Sequence, residues 1–177
     1  TPDGGRRPLA RQSNDPGPYE RALQGLRASS FVYACNCSRR EIGGERYSGR
    51  CRSRRLPELP TSGIRVAVDP GAEVFDDLLL GPQRHVPSEQ CGDLLLRDRD
   101  GHWTYQFTVT VDDYRQGVGL VIRGLDLLPS TGRQIRLARM LGRQSAPLFL
   151  HHPLIMKTPT EKLSKASGDA GVRELRS

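Results

Sequence analysis

The chain has 177 residues, with 27 lysine and arginine residues against 20 aspartate and glutamate residues, for a formal net charge of +7. This length is enough for a domain with a substantial core. No apolar run approaches the ~20 residues of a membrane-spanning helix, so the sequence excludes a transmembrane protein and favours a soluble, cytoplasmic one. The basic residues are almost all arginine, which favours a polyanionic partner such as nucleic acid.

The first predicted element is an amphipathic helix over Pro18 to Ser29. Its apolar residues recur at helical spacing, namely Tyr19, Ala22, Leu23 and Leu26. The two ends of the chain, Thr1 to Pro18 and Gly168 to Ser177, are polar or rich in glycine and proline. We predict that both ends are loosely ordered.

Three of the four cysteines, Cys35, Cys37 and Cys51, lie in one short polar stretch. Cys-x-Cys spacing suits a disulfide poorly but suits two thiolate ligands of one ion, so the pattern predicts a structural zinc site. No histidine lies nearby, so Tyr47 or a water fills the fourth position. The alternative is three unrelated reduced thiols. Cys91 stands apart and is predicted to be a small buried or surface thiol.

Alternating or apolar runs predict the strands. They cover residues 63–68, 73–80, 93–98, 103–111, 119–122 and 147–155. The Asp100-Gly101 turn joins two of these runs into a hairpin. A helix is predicted from Ser130 until Gly142 stops it. His151 and His152 are neighbours in the last run and point to opposite faces, so they do not easily share one ion. We expect one of them to face solvent or to support a ligand-binding residue, and the other to pack.

The segment from Tyr105 to Gln134 is the centre of the predicted site. Arg123 ends an apolar run, and α/β sheets present ligand-binding groups just beyond the carboxyl ends of their strands. The alternative is that Arg123 only caps the next turn. Further along, a polar loop presents Lys162, Ser164 and Lys165, which either clamp a polyphosphate or form a solvated loop.

Three separated pieces together resemble the glutamyl-Q tRNA(Asp) synthetase family, the short paralogues of glutamyl-tRNA synthetase that lack an anticodon-binding domain. The likeness runs from about Arg11 to Lys165. The pieces are Cys35-x-Cys37 with Tyr47 and Cys51, Tyr105 to Arg123 followed by Gly124-x-Asp126-Leu-Leu, and Lys162-Leu-Ser-Lys165. The resemblance implies an α/β fold, a partial class I aminoacyl-tRNA synthetase core of Rossmann type with a zinc-binding insertion.

The resemblance also implies roles for individual residues. The zinc ligands of the family correspond to Cys35, Cys37, Tyr47 and Cys51. Glutamate contacts fall on Tyr105 and Arg123. The KMSKS-type loop falls on Lys162 to Ala166, where Lys162, Ser164 and Lys165 contact ATP and Lys165 is the catalytic lysine. We expect three parts, residues 1–34 and 91–177 from the two halves of the catalytic domain and residues 35–90 as the zinc-bearing insertion with its connecting strands.

The implied function is ATP-dependent activation of glutamate, with Mg²⁺, and its transfer to the queuosine base of tRNA(Asp) by a monomer without membrane contact. The family's first strand and its His-Ile-Gly-His-type signature have no counterpart in Thr1 to Ala10. The chain also departs from the family at Ala166, usually serine, and at Gly132, usually proline. We therefore expect weak or no activity from this chain alone. The alternatives are a fragment of a glutamyl-tRNA synthetase charging tRNA(Glu) and a non-catalytic, zinc-stabilised tRNA-binding module.

Overall fold

The computed structural model describes residues 12, 15–29, 31–156 and 158. The helices in these ranges are α1 (Gly17–Ala28), α2 (Arg39–Ile42), α3 (Pro87–Gln90), α4 (Tyr105–Arg115) and α5 (Leu128–Met140), with a short 3-10 helix at Leu125–Leu127 before α5. The strands are β1 (Val32–Cys35), β2 (Gly63–Val66), β3 (Glu73–Asp77), β4 (Gly81–His85), β5 (Leu94–Arg97), β6 (Leu120–Gly124) and β7 (Leu148–His152). No helix in the described part of the chain is long and apolar enough to cross a membrane.

The strands form two sheets. One is antiparallel, in the order β1-β2-β5, and the other is mixed, in the order β4-β3-β7-β6. In the mixed sheet β3, β7 and β6 run parallel, while β4 returns antiparallel beside β3. The register pairs Arg123 with His151 and Asp77 with Phe149. Three parallel strands therefore end at the same edge of the sheet, which positions the site described below.

Helix α5 packs between the two sheets and contributes to two cores. Ile135 packs with Phe75 and Phe149 of the mixed sheet. Leu137 belongs to the larger core, which α1, α4 and the antiparallel sheet also build. The opposite face of the mixed sheet carries exposed apolar side chains. They are Val74, Leu120, Ile122 and Leu148. In the described residues, the mixed sheet is thus covered by α5 on one face only.

Most predicted elements are confirmed. The helix predicted at 18–29 is α1, the helix predicted from Ser130 is α5, and Gly142 follows its end with a φ of 96°. The runs at 63–68, 73–80, 93–98 and 147–155 contain β2, β3, β5 and β7, and the run at 119–122 overlaps β6. Their combination in an α/β architecture with a partly parallel sheet confirms the predicted fold class.

The strand predicted at 103–111 is wrong, because residues 105–115 form helix α4. The alternation of threonine and valine that suggested a strand also places Phe107 and Val111 on one helical face, where both are buried. The hydroxyls of Thr108 and Thr110 donate to carbonyls one turn back, at 3.2 Å and 2.8 Å. Burial of that face against the core outweighs the weak strand propensity of these residues. The Asp100-Gly101 turn itself is present, closed by a bridge between Arg97 and Trp103.

The connection predicted after Cys37 contains a short helix, α2. Ser38 and Glu41 form a capping box, in which each side chain satisfies the backbone N–H of the other residue. Gly43 ends the helix in the left-handed conformation, with a φ of 69°. The Ser-x-x-Glu spacing is the local signal that sequence reasoning passed over.

Candidate functional site

Three polar side chains meet at the carboxyl ends of the parallel strands. Asp77 is the last residue of β3, Arg123 is the penultimate residue of β6, and His151 lies beside Arg123 in β7. All three are buried. The ends of parallel strands are where open α/β sheets bind ligands. Arg123 therefore lies where the sequence predicts, but deeper, and it reaches into the protein rather than capping a turn.

The guanidinium of Arg123 is held by three hydrogen bonds. Its Nε donates to Nε2 of His151 at 3.0 Å, one terminal nitrogen donates to Oε1 of Gln134 at 2.7 Å, and the other donates to the hydroxyl of Thr131 at 2.8 Å. These bonds use one N–H on each nitrogen, so each terminal nitrogen retains a second N–H. Burial lowers the pKa of Arg123, and the neighbouring Tyr105 and Asp113 oppose this effect.

Asp77 anchors the base of this cluster. Its Oδ2 lies 2.6 Å from Nδ1 of His151, and its Oδ1 accepts the backbone N–H groups of Leu79 and Leu80, both at 3.0 Å. Burial alone would raise the pKa of Asp77, but the bond to His151 and the two amides outweigh burial and lower it. Asp77 is therefore an ionised, fully paired carboxylate at the end of β3.

Tyr105 opens helix α4 and approaches Arg123 from the side. Its phenol is half-exposed and interacts with the guanidinium, which partly offsets the lowering of the Arg123 pKa by burial. Gln106, the next residue, accepts a hydrogen bond from Gln134 at 2.8 Å, which ties the start of α4 to the Arg123 cluster. The structure thus brings Tyr105 and Arg123 together, as the sequence predicts. Their role in binding glutamate stays a prediction.

The remaining predicted nucleotide contacts, Lys162, Ser164 and Lys165, lie outside the described residues. Their predicted approach to Arg123 therefore stays a prediction.

The cysteine stretch folds into a second cluster. The sulfurs of Cys35, Cys37 and Cys51 all lie within 4.8 Å of one another, and those of Cys37 and Cys51 are 3.5 Å apart. The Tyr47 hydroxyl lies 3.3 Å from the Cys35 sulfur and 3.9 Å from the Cys37 sulfur. Four ligands at ~2.3 Å around a tetrahedral zinc ion would be about 3.8 Å apart. The four predicted ligands therefore come together at a spacing that fits one metal ion.

The electrostatics of this cluster also suit a cation. Burial alone would raise the pKa of Cys51, but hydrogen bonds from Tyr47 and Cys37 outweigh it and lower the pKa to about 7. Burial raises the pKa of Cys37 and of Tyr47 above their ordinary values. Cys51 therefore ionises more readily than an ordinary thiol, and a bound cation would favour deprotonation of the other ligands.

Gly92 fixes this cluster against the antiparallel sheet. It bridges to Tyr47, whose N–H donates to the carbonyl of Cys91 at 2.9 Å. A Cβ at Gly92 would lie 1.8 Å from the Tyr47 carbonyl oxygen, and its φ of 66° is unfavourable for other residues. Cys91 itself is buried, with its thiol 3.1 Å from the Pro87 carbonyl, apart from the other three cysteines.

Sequence reasoning from the residues missed Asp77 as a partner of the site. It assigned one of the two histidines to packing and one to solvent, and this is confirmed, because His151 is fully buried and His152 is exposed. It did not foresee that His151 contacts Arg123. The only local signal is that both residues end apolar strand runs, and their meeting depends on the parallel pairing of distant strands.

A class I synthetase catalytic core is the type of protein that this sheet, strand-end site and cysteine-bearing segment define. The family model described as tRNA synthetases class I (E and Q), catalytic domain, matches residues 7–175. The chain belongs to this family.

The resemblance to the glutamyl-Q tRNA(Asp) synthetases is also confirmed. A protein of that name from Bordetella bronchiseptica is 43% identical over 170 residues, which cover 89% of this chain and 53% of the relative. One from Acinetobacter baylyi is 45% identical over 148 residues, covering 83% of this chain and 50% of the relative. The chain thus spans about half the length of these curated relatives.

Solved structures give the same fold. A glutamate tRNA ligase from Elizabethkingia meningosepticum, crystallised with its amino acid, superposes with a TM-score of 0.74 at 26% identity. The match covers 94% of this chain and 38% of that one. A glutamate-tRNA synthetase from Elizabethkingia anophelis gives a TM-score of 0.72, also at 26% identity, over 90% of this chain and 37% of that one.

Proposed function

We propose that this chain provides the glutamate-recognising and zinc-bearing part of a cytoplasmic, monomeric ligase. The ligase would activate glutamate with ATP and transfer it to the queuosine base of tRNA(Asp). The reaction is inferred from the names of the relatives. One structural observation supports the proposal that this chain takes part in it. The phenol of Tyr105 faces the guanidinium of Arg123 at the ligand-binding edge of the sheet.

The Arg123 cluster suits a carboxylate ligand. Each terminal nitrogen of Arg123 carries a second N–H, and these charged donors suit the oxygens of a carboxylate. Gln134, Thr131 and His151 hold the guanidinium in place before a ligand arrives, so little reorganisation accompanies binding. Tyr105 is half-exposed, which leaves its hydroxyl able to orient the same ligand.

Activation joins a glutamate carboxylate oxygen to the α-phosphorus of ATP and releases pyrophosphate. We propose that Lys162, Ser164 and Lys165 contact the nucleotide, with Lys165 the catalytic lysine. Negative charge develops on the phosphates in this step, and lysine ammonium groups together with Mg²⁺ stabilise it. The contribution of the protein is positioning and electrostatic stabilisation, and no residue needs to act as a covalent nucleophile.

We propose that Cys35, Cys37, Tyr47 and Cys51 hold a structural zinc ion within an insertion spanning residues 35–90, between catalytic parts at 1–34 and 91–177. Four protein ligands leave no open coordination position, so the ion would have no direct role in the reaction. The fit of the four donor atoms to a tetrahedron supports this assignment.

Glutamate binding by the chain tests the proposal at Tyr105. Calorimetric titration is expected to show binding of glutamate in preference to aspartate. Tyr105→Phe should weaken glutamate binding by about tenfold, the value of one hydrogen bond to a charged group. Tyr114→Phe is the matched control, because Tyr114 is another exposed tyrosine of α4. Equal affinities for the two variants would contradict the assignment.

The RNA substrate is tested with labelled glutamate and three RNAs, namely tRNA(Asp) with queuosine, tRNA(Asp) without it, and tRNA(Glu). With this chain alone we expect transfer to be weak or absent, and any transfer to go only to the first RNA. Transfer to the 3′ end of tRNA(Glu) would support a glutamyl-tRNA synthetase fragment instead. Binding of tRNA by a chain that binds no glutamate would support the non-catalytic module.

A further inference from the structure

A cavity of about 350 Å³ lies between the cysteine cluster and the first turn of α4. Tyr47, Arg65, Tyr105 and Arg133 are among the residues that line it, whereas Arg123 is not. The cavity is therefore a different space from the Arg123 cluster, with Tyr105 as a shared wall.

Arg65 brings a buried and incompletely bonded cation to this cavity. The residue is only 6% exposed, and its guanidinium lies 3.8 Å above the centre of the Tyr47 ring. One terminal nitrogen donates to the carbonyl of Asp93 at 2.9 Å, but Nε has no acceptor among the described residues. A buried N–H without an acceptor is destabilising, so this group favours an anionic or polar ligand.

Arg133 brings a second cation from a different element, helix α5. Its Nε is also buried without an acceptor in the described part of the chain. Its charge acts on the Cys91 thiol, lowering a pKa that burial raises, and Arg65 acts on the same thiol in the same direction. The two guanidinium groups therefore lie close to the same wall of the cavity.

The first turn of α4 contributes a third positive feature. No side chain caps this helix, because the Thr104 hydroxyl donates to the Leu95 carbonyl at 2.7 Å instead. The first amides of a helix have no intrahelical acceptor, and Tyr105 and Gln106, which begin this helix, are among the residues that line the cavity.

The acidic residues nearby do not neutralise this cavity. Asp93 gives its carboxylate to Arg52, to the Tyr33 hydroxyl and to the Val68 amide. Glu45 is the other acidic residue of the lining, and it is exposed at the surface. The buried part of the cavity is thus positively charged.

We propose that this cavity binds a phosphate group, either from a polynucleotide backbone or from a nucleotide. Donors from Arg65, Arg133 and the start of α4 come from three separate elements, which matches the several acceptor oxygens of a tetrahedral phosphate. A planar carboxylate can be bound by one guanidinium, as proposed for Arg123. The phosphate site does not depend on the proposed chemistry at Arg123.

Inorganic phosphate is the first probe, titrated into the complete chain at constant ionic strength. Backbone amide resonances of Tyr105 and Gln106 should shift on titration, and calorimetry should give a dissociation constant. Arg133→Gln should weaken phosphate binding by about tenfold, and Arg133→Lys by less, because each charge-assisted bond is worth roughly one decade. Arg99→Gln is the matched control, since Arg99 is exposed and outside the cavity. It should change phosphate binding by less than about twofold.

Binding measurements with tRNA and with ATP then identify the source of the phosphate. Weaker binding of a tRNA in Arg133→Gln, with ATP binding unchanged, would assign the site to a polynucleotide, and the reverse would assign it to a nucleotide. Unchanged glutamate binding is expected in either case, which separates this site from that at Arg123. The proposal is overturned if the Tyr105 and Gln106 amides do not respond to phosphate, if Arg133→Gln and Arg99→Gln behave alike, or if neither RNA nor ATP binding changes.

Discussion

Arg123 and His151 are paired across β6 and β7, and their side chains share a hydrogen bond of 3.0 Å. A guanidinium nitrogen only donates, so Nε2 of His151 is the acceptor. The ring proton is then on Nδ1, which donates to the carboxylate of Asp77 at 2.6 Å. The imidazole of His151 therefore bonds to both the buried carboxylate of Asp77 and the guanidinium of Arg123, and so holds these two side chains in fixed relative positions.

Replacing His151 should disrupt this chain of contacts. His151→Leu keeps a similar side-chain volume but leaves the carboxylate of Asp77 and Nε of Arg123 buried with one partner fewer. We expect a loss of about 3–5 kcal/mol in the free energy of unfolding. Urea unfolding followed by the fluorescence of Trp103, the single tryptophan, measures it. His152→Leu changes the exposed neighbour and should cost less than about 0.5 kcal/mol. Similar losses for the two variants would contradict a stabilising role for the buried contacts of His151 with Asp77 and Arg123.

Removing one thiol should abolish metal binding. We expect Cys37→Ser to lower the zinc content of the purified chain to near zero and Cys91→Ser to leave it unchanged, because Cys91 is apart from the cluster. Elemental analysis measures both. Chelation should speed hydrogen exchange in residues 35–55 more than in β7. A chain purified without zinc, whose melting is the same with and without chelator, would count against the site.

Acid should destabilise the fold through His85. Burial lowers the pKa of His85, and its Nδ1 accepts the N–H of Gly132 at 3.3 Å. Below the ordinary histidine pKa of ~6.5 the unfolded chain takes up a proton that folded His85 resists, so stability falls as the pH falls through this range.

Urea unfolding at about pH 7.5 and about pH 5.5, on either side of the ordinary histidine pKa, measures this effect. His85→Asn should reduce the difference between the two pH values. His102→Asn should preserve it, because the His102 side chain is 78% exposed. An undiminished pH dependence in His85→Asn would show that other groups cause it.

Gly132 should tolerate no side chain. A Cβ at this position would lie 2.5 Å from Cβ of His85. Gly132→Ala should cost about 1–3 kcal/mol through overpacking. Gly25→Ala, at an exposed helical position with no atom within 4 Å, should instead stabilise by about 0.5–1 kcal/mol. Adding His85→Gly, which removes the Cβ that the new methyl group would meet, to Gly132→Ala should recover part of the loss, as a double-mutant cycle by urea unfolding would show. The same cost with and without His85 would contradict the close contact.

The pattern of apolar residues along the sequence predicted those elements that bury either one helical face or one short apolar run. Strands β6 and β7 are short apolar runs, and α5 combines helical spacing with a stop at Gly142. Helix α4 could not be predicted in this way, because its threonines and valines also fit a strand and only packing against the core decides between the two. The spacing of the cysteines allowed either Tyr47 or a water as the fourth zinc ligand. Only the family resemblance favoured Tyr47.

The candidate site shows a different limit. Arg123 was recognised from its place at the end of a strand run. Its contact with Asp77 and His151 arises because β3, β7 and β6 pair in parallel, although 74 residues separate Asp77 from His151. No local signal encodes that pairing.

Among the residues that the structure describes, none covers the second face of the mixed sheet, and this has a practical consequence. An apolar surface is exposed to water next to the free edge of β6, and it is formed by Val74, Leu120, Ile122 and Leu148. Two copies of the chain can bury this apolar surface by associating through it. We expect this self-association, more than the excess of arginine, to determine the solubility of the purified polypeptide. Dilute storage and a mild detergent are the natural remedies.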